Sequence, residues 1–253
     1  MTTRNRAVLI LLYCFLGEAV VGAERPPDFQ CGGNAREAPE VEVNVVREEE
    51  GEIQVSWRFN TRESLWGYAF PDLPELARYR SWLETVKATP KQELDESWEG
   101  YALEQRIEEF VRTRRLGTLR PMNCLESTLL ATQISRTGAE SLREFVGYVL
   151  RSNVRSETKI YFLSGPNVNP PRDNLIKPLI RQDVESGWWL YAIIHNHTGP
   201  HPAAAPSASD AQYGMSWVED GAQRFVVING IEAFEVSGAE LKQFLHTAKQ
   251  DGI

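Results

Sequence analysis

The chain has 253 residues, of which 42% are hydrophobic and 25% charged, and a formal net charge of −8. That is globular composition, long enough to bury a core and to form one or two domains. The acidic balance argues against a nucleic-acid backbone or an anionic membrane surface as a partner, since both call for a basic face.

Residues 1–23 differ from the rest. Arg4 and Arg6 precede the short apolar run Ala7–Leu16, and Val21-Gly22-Ala23 supplies small residues suited to cleavage before Glu24. This pattern predicts a secretory signal peptide and hence an exported protein, periplasmic or secreted. The apolar run is too short for a comfortable span, so no stable membrane insertion is expected after cleavage. Glu18 is unusual between apolar run and cleavage site, and an uncleaved N-terminal anchor is the alternative. Loss of Arg4, Arg6 and Glu18 with the leader takes the net charge to −9. Cys31 and Cys124 then remain, an even count that permits one disulfide in an oxidising compartment. Two separate buried thiols would fit the same count.

Residues 24–40 read as an irregular, proline- and glycine-containing lead-in. Val41–Val45 and Ile53–Phe59 alternate apolar and polar residues across the charged turn Arg47–Glu52, which predicts a β-hairpin. From Leu73 to about Leu116 the spacing turns helical and is interrupted at Pro90. Leu76, Tyr79, Trp82, Leu83 and Val86 form one set; Tyr101, Leu103, Ile107, Phe110 and Val111 form another. These aromatics read as packing residues rather than a ligand box. A third helix follows Pro121 and ends at Thr137-Gly138.

Two buried strands are expected next, Glu144–Leu150 and Thr158–Leu163. A loop over 166–174 and a short helix over 175–186 follow. Trp188–Ile194 is continuously apolar, as a strand covered on both faces should be. Ser207 can cap a helix running to about Val218, and Asn229-Gly230 signals a two-residue hairpin turn between 224–228 and 231–236. Ser237-Gly238-Ala239-Glu240 is a capping box for the last helix, along which Leu241, Phe244 and Leu245 share a side. The predicted class is α+β (mixed α/β).

The apolar run from 188 leads directly into His195-Asn196-His197-Thr198-Gly199-Pro200-His201, which holds three of the four histidines. Residues i and i+2 of a strand point to the same side, so His195 and His197 can face one point while Asn196 faces away. Asp210, in the first turn of the next helix, can close a three-ligand set for Zn2+. A general base is then required near a metal-activated water. Glu144, at the start of an apolar strand, is the best placed candidate, because burial raises a carboxylate's proton affinity. Glu140 and Glu157 compete from more polar contexts. Ser207 can cap the helix backbone and can also donate to an oxyanion. His201 could line the mouth of such a site or belong only to the loop. His246 reads as solvated or packing, and Trp188 and Trp189 as core residues, one of which could shield the site.

Glu144-x-x-Gly147, His195-x-His197 and Ser207-x-x-Asp210 together resemble the JAMM motif of the MPN/JAB-domain zinc metalloproteases, and His195-Asn196-His197 is similar to the RadC-like branch of that superfamily. The resemblance covers about residues 117–253. It implies a JAB/MPN-like sheet flanked by helices, preceded over 24–116 by a hairpin and helical region that resembles nothing nameable. It implies His195, His197 and Asp210 as zinc ligands, Glu144 as general acid/base and Ser207 as oxyanion helper. The expected activity is zinc-dependent hydrolysis of peptide or isopeptide bonds in a protein or peptide substrate. An inactive MPN-type binding or scaffold module is the alternative. Thr198 stands where the family usually has proline, and the loop from Thr198 to Pro206 is longer than usual.

Overall fold

The β-hairpin expected near the start of the chain does not stand alone: its second strand pairs with a strand a hundred residues later and extends the central sheet. The computed structural model describes residues 41–49, 52–59, 73–86, 100–165, 173–198 and 204–253. Among them are eight strands: β1 (Val41–Glu49), β2 (Glu52–Phe59), β3 (Thr118–Pro121), β4 (Phe145–Ser152), β5 (Thr158–Ser164), β6 (Trp188–Asn196), β7 (Arg224–Ile228) and β8 (Glu232–Ser237). The six helices are α1 (Pro74–Thr85), α2 (Tyr101–Arg112), α3 (Cys124–Thr137), α4 (Ile176–Glu185), α5 (Ala208–Glu219) and α6 (Gly238–Gln250). The strands form one mixed sheet in the order β1-β2-β5-β4-β6-β7-β8-β3. Every pairing is antiparallel except β6 with β7. The fold is α+β.

Strand alternation divides the apolar side chains between two cores. Phe145 and Val149 of β4 join Trp57, Phe162 and Ile194 beneath α1 and α3. Val146, Tyr148 and Leu150 join Leu163, Ile193 and Val227 beneath α2, α4, α5 and α6. With both faces covered, β6 needs the unbroken apolar run seen in its sequence. Its register with β4 shifts between Val149 and Leu150, so Tyr191 has no partner across that ladder. This bulge sends Tyr191 and Ala192 to the same core and resets which side the following residues face.

The helix boundaries follow local chemistry. Asn123 caps α3 through a box with Glu126, and the helix stops at Gly138, whose φ of 84° favours glycine. Ser207 with Asp210 and Ser237 with Glu240 form the corresponding boxes on α5 and α6. Gly147 lets β4 approach α3 closely: a Cβ there would lie 3.2 Å from the Leu129 side chain.

Three features depart from the sequence expectation. β3 was not foreseen; it is a four-residue edge strand pairing with β8, and its proline sits where a missing N–H costs little. The β7–β8 turn is shifted by one residue. The Asn229 amide bonds the Glu232 carbonyl at 3.2 Å, so Gly230 and Ile231 occupy the tip, and the Asn229 side chain accepts from Ile231 and Glu232. Trp188 and Trp189 open β6 at the end opposite His195, about 20 Å away at strand rise, and neither shields the site. Cys124 is disulfide-bonded. It is the one cysteine among the described residues, so its partner, expected to be Cys31, lies outside them. His201 and the leader 1–23 also lie outside them. No described helix is long and apolar enough to cross a membrane.

Candidate metal centre

β6 runs between β4 and β7, with His195 opposite Val146 on one side and Val227 on the other. Directly opposite residues share a face, so His195 looks toward α5 along with Val146 and Tyr148. His197 lies just past the strand, yet its amide still bonds the Ile228 carbonyl at 2.9 Å. That bond keeps it extended, on the same side as His195.

Asp210 comes to this point from the first turn of α5. One ligand atom from each of His195, His197 and Asp210 falls within 4.8 Å of the other two. His197 Nε2 is 2.8 Å from Asp210 Oδ2, and His195 Nε2 is 3.5 Å from Oδ1. His195 Nδ1 lies 3.1 Å from the Phe145 carbonyl, which can only accept. That ring nitrogen therefore carries the proton, and the lone pair of Nε2 points into the cluster, as a neutral imidazole ligand requires. Burial, more than any neighbour, pushes the His195 pKa down and keeps the ring neutral.

Asp210 is held from several sides. Its Oδ2 accepts from the Ser207 amide at 2.8 Å and the Ser207 hydroxyl at 2.7 Å as well as from His197. Burial alone would push this carboxyl up. The His197 hydrogen bond, the electrostatic pull of the two imidazoles on the carboxylate and the Ser207 hydroxyl outweigh it and hold Asp210 well below the usual carboxylate range. Two imidazole nitrogens and a carboxylate oxygen thus gather as a group that could hold a metal ion, and both donor types are ones that zinc accepts.

Glu144 precedes β4 and completes the group. Its Oε2 lies 3.9 Å from His195 Nε2, beyond hydrogen-bond length and within reach of a small molecule held between them. The side chain is mostly buried, and burial above all pushes its pKa up to about 7; the charge of His197 opposes the rise and that of Asp210 adds to it. Its two sequence competitors are elsewhere. Glu140 is exposed, and Glu157 pairs with Arg58 at 2.9 Å at the β4–β5 turn. His246 is exposed on α6 beside Gln250.

Ser207 has its hydroxyl proton on Asp210 in this structure, while its oxygen accepts from the Asp210 amide at 3.2 Å. Its observed work is to orient the Asp210 carboxylate. Donation to an oxyanion would require the hydroxyl to turn away.

Two residues with a part in the arrangement were not foreseen. Asn196 points to the opposite face, as alternation requires, but it is fully buried and its amide spans the segment that carries Glu144. Oδ1 accepts from the Phe145 amide at 2.6 Å, and Nδ2 donates to the Arg143 carbonyl at 3.2 Å. Gln133 of α3 donates to the same carbonyl. Glu104 of α2 accepts from the Ala208 amide, the first of α5, at 2.6 Å. A buried asparagine must find partners, which is a signal of sorts for Asn196; nothing in the sequence singles out Glu104.

One turn along α5 from Asp210, the Tyr213 hydroxyl donates to Asp173 Oδ2 at 3.1 Å, and the Tyr148 hydroxyl reaches the same oxygen at 3.3 Å. The two hydroxyls also touch. Burial raises both phenols well above their ordinary pKa, so they stay protonated and tie α5 to β4.

No protein-family model, curated protein or solved structure matches the chain.

Proposed function

We propose that this chain is an exported zinc-dependent hydrolase of peptide or isopeptide bonds on a JAB/MPN-like scaffold. One observation carries the reading: His195, His197 and Asp210 converge within 4.8 Å, and the Glu144 carboxylate stands beside them. The donor set suits zinc, and the proton on His195 Nδ1 leaves the inward nitrogen free to bind. A bound zinc ion would acidify a water ligand toward neutral pH and polarise a carbonyl. The chain's own residues do the rest. His195, His197 and Asp210 hold the ion, and Ser207 fixes the Asp210 carboxylate. Glu144 takes a proton from the nucleophile and delivers it to the departing amine. The leader pattern supports export, and the burial of His195 at the end of β6 supports a protected reaction centre.

The test combines zinc analysis of the purified protein with turnover of a peptide library. The expected result is about one zinc per chain, and in Glu144→Gln the loss of turnover with zinc retained. Turnover unchanged in Glu144→Gln removes that residue from the mechanism. A second reading, an inactive binding module, draws on the His197–Asp210 hydrogen bond, which already gives each side chain a partner. Absence of stoichiometric zinc and of turnover would favour it.

A further inference from the structure

The helices before residue 117 have so far served only to cover the sheet. One bond gives them a second part. Ala208 is the first residue of α5, two before Asp210, and its N–H has no partner within the helix. Glu104 Oε2 takes that N–H at 2.6 Å across 104 residues of sequence. Glu104 does not reach out freely from a surface: its neighbours Leu103 and Ile107 are buried in the core shared with Ala208 and Ala211. The carboxylate is therefore aimed by a packed helix.

We propose that Glu104 is a positioning residue of the metal centre, which from α2 fixes the first turn of α5 and so sets Ser207 and Asp210 opposite the two histidines. The proposal rests on the metal reading above and adds the part played in it by the N-terminal half. The start of α5 is gripped on two flanks. The Asp173–Tyr213 contact holds the helix one turn further on. Inside the first turn, the capping box ties Ser207 and Asp210 only to each other. Such a box can move as a unit. Among the described residues, Glu104 supplies the hydrogen bond that relates it to an element outside the centre, because the remaining partners of Asp210, His197 and His195, are themselves part of the centre. Outer partners of ligands of this kind are worth about 10–100-fold in metal affinity.

The experiment uses the full-length protein and compares Glu104→Ala with Glu104→Gln, whose side-chain oxygen can accept the same hydrogen bond. Amide hydrogen exchange is followed at Ser207 and Asp210 in metal-free protein, and zinc affinity is measured by competition with a chromogenic chelator. The expected result for Glu104→Ala is exchange at both amides about tenfold faster, with the C-terminal turn of α5 unchanged, and zinc bound about tenfold more weakly. Glu104→Gln should restore both. If Glu104 only stabilises the fold, Ser207 and Asp210 exchange as in the parent and zinc affinity holds; either result overturns the proposal. If the parent binds no zinc but the exchange pattern is as expected, the positioning of Asp210 stands and the metal reading falls. Should Glu104→Ala not fold, Glu104→Asp, one methylene short of Ala208, carries the same two readouts.

Discussion

Replacement of Asn196 by alanine tests how Glu144 is held in place without assuming any activity. Asn196 is fully buried, and its side chain makes two hydrogen bonds to the main chain on either side of Glu144. In Asn196→Ala the Phe145 amide loses its acceptor inside the structure, at a cost of about 1–3 kcal/mol for a buried unsatisfied donor. The Arg143 carbonyl keeps Gln133 at 3.2 Å, so the second loss is the smaller, about 0.5–1.5 kcal/mol. The sum, roughly 2–4 kcal/mol, corresponds to a fall in Tm on the order of 5–15 °C for a chain of this size. The measurement is urea denaturation of the metal-free protein followed by tryptophan fluorescence, with the slope compared to confirm that the unfolded states match. Hydrogen exchange at Phe145 should rise with the loss of stability. A change below about 0.5 kcal/mol, or an unaltered Phe145 amide, would refute the reasoning, because it would mean that the amide finds its partner elsewhere.

Glu144→Gln should stabilise the metal-free protein above neutral pH. The carboxyl is raised from 4.5 to about 7, so folding favours its protonated form. That contribution is complete below pH 4.5 and disappears as pH rises through 7, whereas glutamine never ionises. The variant should gain about 1–3 kcal/mol at pH 8 and match the parent at pH 4.5, as read by denaturation at the two pH values; equal stability at pH 8 would count against a buried carboxylate. Gly230→Ala should lose about 1–3 kcal/mol, since φ there is +92° and the new Cβ would lie 2.6 Å from the Tyr79 ring. A thermal melt indistinguishable from the parent would contradict that packing. Reduction of the Cys124 disulfide should cost about 2–4 kcal/mol. Non-reducing peptide mapping of the purified protein should recover Cys124 linked to Cys31, and a Cys124 peptide recovered alone would disprove the pairing.

What the sequence revealed depended on how local the cause was. The hairpin 41–59, the buried run of β6 and the caps at Ser207 and Ser237 each follow from neighbouring residues, and each is present. The convergence of His195 with His197 could also be read, because it needs only the two-residue period of a strand. β3 could not, since four residues with mostly exposed side chains carry no apolar alternation. Neither could the bulge at Tyr191, which arises from register against β4 rather than from β6 itself. The turn at Gly230 was found but displaced by one residue, because the Asn229 side chain caps the loop instead of sitting at its tip. Asn196 and Glu104 escaped because their partners are main-chain atoms 51–53 and 104 residues away. Side chains that bond to distant backbone leave no pattern in their own vicinity.

The placement of β2 against β5 bears on how the chain can be made and handled. Without it, β5 would offer a row of open backbone groups flanked by Ile160 and Phe162, a ready template for intermolecular pairing. β2 precedes β5 by about a hundred residues, so a nascent chain already carries the strand that will cover this border before the border emerges. A fragment starting at residue 117 would lack that cover, and it should be recovered in inclusion bodies where the longer chain stays dispersed.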